Sequence, residues 1–364
     1  MVKLRLWERC GAGLGLLLAL VSIPVIAATD AVTPEVQAKA EVLKRASTAV
    51  VGVRATAVED ARSIESLGRE RRGSGVLIDA NGLVLTIGYL ILEAEHVELE
   101  LGPERVVPAR VVAYDLASGF GLLQALVPLR VPPARLGQSS AVSTDEPLMI
   151  ASGGEDADLS IARMVSRRAF SGYWEYHIDG ALFTVPPRTD HSGAALFNAN
   201  GELLGIGSLI VMDALGSDKP RVPGNMFVPI DLLKSILADL RERGASRSST
   251  RAWLGLNCVE LDGAVRVVRA TSDSPAERAG LRPGDRIVRI DDKDVSGLEE
   301  FYATPVARSN EDATAGEGDL MRCSLSHGER ERLSHGERER QRRSGPRPPS
   351  GSARQRAIPS SSDH

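Results

Sequence analysis

Two Asn-Gly pairs, Asn81-Gly82 and Asn200-Gly201, each fall between short apolar runs, and no other feature restricts the possible folds of this chain as strongly. Both residue types tolerate positive φ, so each pair reads as the turn of a β-hairpin. Around the first pair lie VVGVRA, GSGVLIDANGLVLT, HVELEL, VVPARVVAY, FGLLQALV and PLMIAS; around the second lie RMVSRRAF, ALFTV, AALFNANGELLGIGSLIV and MFVPI. Short strands repeated over roughly 200 residues imply an all-β barrel or sandwich. Two helices frame them. Residues 32–46 carry Val36, Ala40 and Leu43 at helical spacing, and IDLLKSILADLRER at 230–243 carries Leu232, Leu233, Ile236, Leu237 and Leu240 on one face with Gly244 as its stop.

A second module begins at Trp253. Its run SPAERAGLRPGDRIVRIDDKDV, at 274–295, places Pro275 in the first turn of a short helix, Gly280 at its end, and Pro283-Gly284-Asp285 in a turn leading into the strand RIVRI. Its last strands are expected after Phe301, at Leu320–Leu325 and at the start of ERERL. Further on, LSHGERER occurs at 325–332 and again at 333–340, followed by a tail of Ser, Arg and Pro. Such an octad is too short for a solenoid unit and too polar to pack, so the tail reads as low complexity.

The N-terminus has the layout of a secretory signal peptide over residues 1–28. Lys3, Arg5 and Arg9 precede an uncharged stretch from Gly11 to Ala28 that ends in VIAA. Whether the segment is cut at Ala27 or Ala28 or kept as an anchor, the body is expected to be exported, as in a periplasm. Hydrophobic residues make up 43% of the 364, which excludes a wholly disordered chain, and one long apolar run excludes a multi-span membrane protein. The three Cys, at 10, 258 and 323, are too few and too scattered for a disulfide scaffold or a thiolate zinc site, so no metal or other cofactor is expected. Residues 322–364 carry ten Arg against four Glu and one Asp, a balance of +5, which leaves −9 on residues 1–321. A mildly acidic body argues against nucleic acid as a partner.

Together these features resemble the HtrA (Do-like) family of exported trypsin-fold serine proteases with PDZ domains, over roughly residues 45–332. The segments that carry the resemblance are GSGVLIDANGLVLT, SGAALFNANGELLGI and the run at 274–295. It implies an all-β trypsin-like double β-barrel over 45–245 and a small α+β PDZ domain over 251–332, with the low-complexity tail at 333–364. Catalysis in that family needs a Ser nucleophile, a His that takes its proton and an Asp that orients the His. The nucleophile segment, like GNSGGAL, here reads Asp190-His191-Ser192-Gly193-Ala194-Ala195-Leu196, which puts Ser192 at the nucleophile position. The pattern TNxHVV is matched by Thr86-Ile87-Gly88-Tyr89-Leu90-Ile91, so Tyr89 stands where the His belongs. In DxxxDLALL the Asp position falls on Gly119. Asp190 replaces a Gly whose N–H helps bind the oxyanion, where a carboxylate is expected to repel the developing charge.

The remaining histidines do not repair the triad by sequence. His327, His335 and His364 lie in the repeats and tail, His96 is expected at the surface beside Glu98 and Glu100, His177 has Asp179 and Glu175 as its nearest acids, and His191 diverges from its neighbour Ser192. The resemblance then implies a pseudoprotease that binds unfolded or C-terminal peptides in protein quality control, alone, as a homo-oligomer or beside an active relative. The alternative is an active serine endopeptidase using Ser192 with a non-standard base. In the PDZ module, Leu254-Gly255-Leu256 matches the Φ-Gly-Φ loop whose N–H groups meet a peptide's terminal carboxylate. Gly153-Gly154-Glu155-Asp156 reads as a turn.

Overall fold

The computed structural model describes residues 34–102, 104–172, 176–246, 254–290, 293–303 and 323–325. The signal segment at 1–28, the octads from 326 onward and the tail lie outside the described residues.

The first β cluster forms six strands: β1 (Val50–Ala57), β2 (Glu70–Leu77), β3 (Leu83–Ile87), β4 (Ala94–Glu100), β5 (Val106–Tyr114) and β6 (Phe120–Ala125). They close into a barrel in the order β1-β2-β3-β6-β5-β4. The first Asn-Gly pair joins β2 to β3, with Leu77 opposite Val84. Of the pair, Gly82 alone has positive φ, because the Asp79 carboxylate accepts the Asn81 N–H at 2.5 Å and the turn closes from Gly82 N–H to Asp79 O at 3.1 Å. On β4 the alternation holds for Val97 and Leu99, which are buried, and for His96, which is exposed. Glu100 departs from it. It is 9% exposed and pairs with Arg54 of β1, since its carboxyl lies against Gly52 and Gly154 where the two barrels meet.

The second cluster forms β7 (Arg135–Leu136), β8 (Pro147–Ala151), β9 (Leu159–Gly172), β10 (Tyr176–Val185), β11 (Ala195–Phe197), β12 (Glu202–Val211) and β13 (Gly224–Pro229). Because β11 pairs with both β8 and β12, strands β8 to β13 close into a second ring, with β7 added in parallel on β12. Asn198 organises the turn at Asn200-Gly201, its side-chain oxygen accepting the N–H groups of Asn200 and Glu202 at 3.0 and 2.9 Å. Helix Ile230–Arg243 then buries Ile230, Leu233, Ile236 and Leu240, leaves Leu232 and Leu237 half-buried, and ends at Gly244 with a bond from its N–H to Leu240 O. The N-terminal helix, Pro34–Ser47, forms where its spacing implies but buries Ala46 alone. Val36 and Ala40 are exposed and Leu43 packs at the core's edge. Periodicity there gives a helix without a buried face.

The second module has its own core of Leu254, Leu256, Cys258, Val265, Val267, Ile287, Ile290, Phe301 and their neighbours. Strands β14 (Leu256–Leu261), β15 (Ala264–Ala270), β16 (Arg286–Ile290), β17 (Lys293–Asp294) and β18 (Cys323–Leu325) form its sheet. Helix Pro275–Arg278 starts at Ser274, whose hydroxyl accepts the Glu277 N–H at 3.2 Å, and Gly280 follows it at φ +82°. Cys323–Leu325 pairs with β16, as the expected strand at 320–325 requires; the strand expected in ERERL falls outside the described residues. The helix Leu298–Ala303, which buries Phe301 and Tyr302, has too short an apolar pattern to be read from sequence.

Candidate active site

Ser192 lies on the tight turn between β10 and β11, and the first barrel holds that turn from below. Ser74 of β2 donates its N–H to Ser192 O at 2.8 Å. Gly193 has φ +73°, and a Cβ there would fall 1.9 Å from Ser74 O, so only glycine fits. Ser74 also accepts the Gly153 N–H on its hydroxyl at 3.0 Å and the Thr86 hydroxyl on its carbonyl at 2.7 Å. One buried serine thus ties the Ser192 turn, the GGED turn and β3 together.

Tyr89 reaches this turn from the short helical turn Gly88–Leu90 after β3. Its Oη lies 2.8 Å from Ser192 Oγ and 2.8 Å from Ser208 O. A carbonyl can only accept, so the phenol O–H donates to Ser208 O and the Ser192 hydroxyl donates to the phenol oxygen. Burial pushes the Tyr89 phenol up to about 12, against the smaller opposing effect of the Ser192 hydrogen bond. Such a phenol is ionised in only about one molecule in 10⁵ at neutral pH and is a poor proton acceptor. Behind it, buried Arg71 donates to Tyr89 O at 3.0 Å and Leu92 O at 2.6 Å, and to the Ser63 hydroxyl. This guanidinium fixes the backbone that carries the phenol.

Gly119, at the position of the orienting acid, has φ +73° and uses its carbonyl to accept the Gly88 N–H at 2.7 Å. The nearest acid in sequence, Asp115, is buried and turned back on its own loop, accepting the Ser118 N–H at 2.8 Å and the Ser118 hydroxyl. Neither position brings a carboxylate to Tyr89.

Asp190 differs from expectation. Its carboxylate is taken up by Arg188, with Nε to Oδ1 at 2.8 Å and Nη2 to Oδ2, and by the Ser152 hydroxyl at 2.5 Å. The Arg188 guanidinium holds the Asp190 carboxyl below the usual range despite burial. Its charge is therefore shared in an ion pair with Arg188. Arg188 further contacts Asp158 at 3.1 Å and Ser160 at 2.5 Å. The i, i+2 spacing of Arg188 and Asp190 was the signal in the sequence for this fork. No spacing announces the carbonyl of Ser208.

His191 stays away from the Ser192 hydroxyl, its Nδ1 lying 3.1 Å from Arg188 O, and burial lowers its pKa. His96 is exposed, and His177 belongs to the β9–β10 hairpin, where it contacts Ser171 and Asp179. In the second module, Gly255 has φ +76°; Leu254 O accepts the Ala276 N–H and Gly255 O accepts the Thr271 N–H, so the carbonyls of this loop are tied inward. Among the described residues, no group of three or more His, Cys, Asp or Glu side chains is placed to hold a metal ion.

Comparison with known proteins agrees with this architecture. The trypsin-like peptidase domain family matches residues 73–206 and the PDZ domain family matches residues 266–303. A Do-like protease 14 of Arabidopsis thaliana is 28% identical over 255 residues, covering 61% of this chain and 57% of that protein. The periplasmic serine endoprotease DegP of Salmonella typhimurium is 27% identical over 252 residues, covering 64% and 50%. The chain thus spans little more than half the length of these curated relatives. The solved HtrA-type protease AlgW with tripeptide is 22% identical, with a TM-score of 0.48, over 74% of this chain and 88% of that one. In its domain matches, barrels then PDZ module, and in its sequence relatives, the chain is similar to the HtrA (Do-like) proteases.

Proposed function

We propose that this chain is an exported HtrA-type pseudoprotease that binds unfolded or C-terminal peptide segments without cutting them. The observation that carries the reading is the Tyr89 phenol, hydrogen-bonded between Ser192 Oγ and Ser208 O in the place of a base. A serine hydroxyl without a base is a weak nucleophile, and loss of one triad helper costs on the order of 10⁴-fold in rate. The missing carboxylate at Gly119 acts in the same direction. Export rests on the charged and apolar layout of residues 1–28 and on the periplasmic place of the Salmonella relative. The working boundaries are 45–245 for the barrels and 251–332 for the PDZ module.

Purified protein is expected to degrade unfolded casein no faster than its Ser192→Ala variant. Proteolysis abolished by that one change would instead establish the active endopeptidase with a non-standard base. Peptide capture is assigned to Leu254-Gly255-Leu256, with the Gly255 N–H meeting the terminal carboxylate and apolar last residues entering beside the module's core. Peptides with free C-termini should bind more tightly than their amidated forms in a calorimetric titration. Equal affinities would remove this loop as the recognition element.

A further inference from the structure

A serine, a histidine and a carboxylate meet on the β9–β10 hairpin, in a hydrogen-bonded chain separate from that of Ser192 and Tyr89. Ser171 and His177 are directly opposite each other on the two strands, and Ser171 Oγ lies 2.8 Å from His177 Nδ1. His177 Nε2 lies 3.3 Å from Asp179 Oδ1. Residues 177 and 179 share a face of β10, and the register shifts between Ile178 and Ala181, where Gly180 has φ +63°. A bulge of this kind re-aims the side chain next to it, here the carboxylate of Asp179.

The partners of His177 select its tautomer. Asp179, as a carboxylate, can only accept, so it selects the imidazole tautomer with hydrogen on Nε2. Nδ1 is then the acceptor, and the Ser171 hydroxyl is the donor aimed at it. This is the chain of roles that activates a serine for acyl transfer, with the two ring nitrogens exchanged relative to the usual arrangement. Ser171 is partly exposed and Asp179 is exposed, so a small reagent can approach.

We propose that Ser171, His177 and Asp179 form a self-acylating site for small activated acyl esters, independent of Ser192. The Ser171 oxygen forms a bond to the ester's carbonyl carbon and the bond from that carbon to the aryloxy group breaks. The serine proton passes to His177 Nδ1 and on to the departing aryloxide, leaving acyl-Ser171 and a free phenol. The proposal does not rest on the pseudoprotease reading: it uses no residue of the Tyr89 site.

The test is brief exposure of the full chain to p-nitrophenyl acetate, followed by intact mass and peptide mapping. A single acetyl group is expected on Ser171, unchanged in Ser192→Ala, and formed at least about tenfold more slowly in His177→Gln, as loss of a general base requires. Asp179→Asn should slow it severalfold while leaving the circular dichroism spectrum unchanged, because its side chain is exposed and the hairpin pairing does not depend on it. An unmodified Ser171, or acetylation of Ser171 at equal rates in the wild type and His177→Gln, would overturn the proposal. Acetyl groups found on Ser192 or on lysines in place of Ser171 would do the same.

Discussion

At the scale of single residues, the decisive fact is that a phenol and an imidazole can occupy the same pocket with opposite consequences. Both hydrogen-bond a serine hydroxyl, but Tyr89 receives that proton's attraction without the basicity to take it. Its raised pKa also links it to stability. A phenol that titrates near 10 when unfolded and at about 12 when folded favours the native state fully below pH 10. That contribution is lost as pH rises from about 10 through about 12, a fall on the order of 2–3 kcal/mol. Denaturant unfolding at pH 9 and pH 12 should show this drop in the wild type and a smaller one in Tyr89→Phe; equal drops would mean that the phenol is not held neutral by burial. In the sequence, Tyr89, Gly119 and Ser192 are assigned triad positions by resemblance, since each sits inside a recognisable segment. The sequence does not show that Tyr89 and Ser192 touch across 103 residues, nor that Asp190 is neutralised by Arg188, because both depend on where side chains turn after the backbone is placed. Nor does reversing Tyr89 alone promise a triad: an acid at position 119 would start from the left-handed conformation that Gly119 now holds.

At the scale of elements, the turn bearing Ser192 is as much a part of the first barrel as of the second. The Ser74 N–H supports it, and Gly193 lets the two backbones approach closely. Gly193→Ala introduces both a left-handed alanine and a clash with a buried carbonyl, so it should cost roughly 3 kcal/mol or more in chemical denaturation. A cost under about 1 kcal/mol would show that the turn can shift without penalty. Hairpins were legible here because Asn-Gly and apolar alternation are local signals. Glu100 was misread for the converse reason. Its alternation places it at the surface, but the close approach of Gly52 and Gly154 covers it, a long-range effect absent from any window of β4.

At the scale of the whole molecule, the barrels and the PDZ module have separate cores, the first built around residues such as Phe120, Phe183 and Leu233 and the second around Ile287 and Phe301. An ion pair between Arg269 and Glu65 links them at the surface, and helix Leu298–Ala303 of the PDZ module also lies against β9 and β10. Exposed pairs contribute about 1 kcal/mol or less. Arg269→Ala should therefore leave the calorimetric unfolding profile nearly unchanged; a midpoint lowered by several degrees would show that the pair couples the two cores. The order of domains was readable from sequence because each carries its own hairpins or turns, whereas the contact between them was not. The phenol at the heart of the barrels has a further use. The chain has five tyrosines, and the late ionisation of Tyr89, pushed up to about 12 by burial, is identified in an ultraviolet titration by its loss in Tyr89→Phe. Any ligand that pries Tyr89 from Ser208 O returns its ring to water and moves that late step to lower pH. The site thus carries its own optical gauge of occupancy, readable without substrate turnover and without a label.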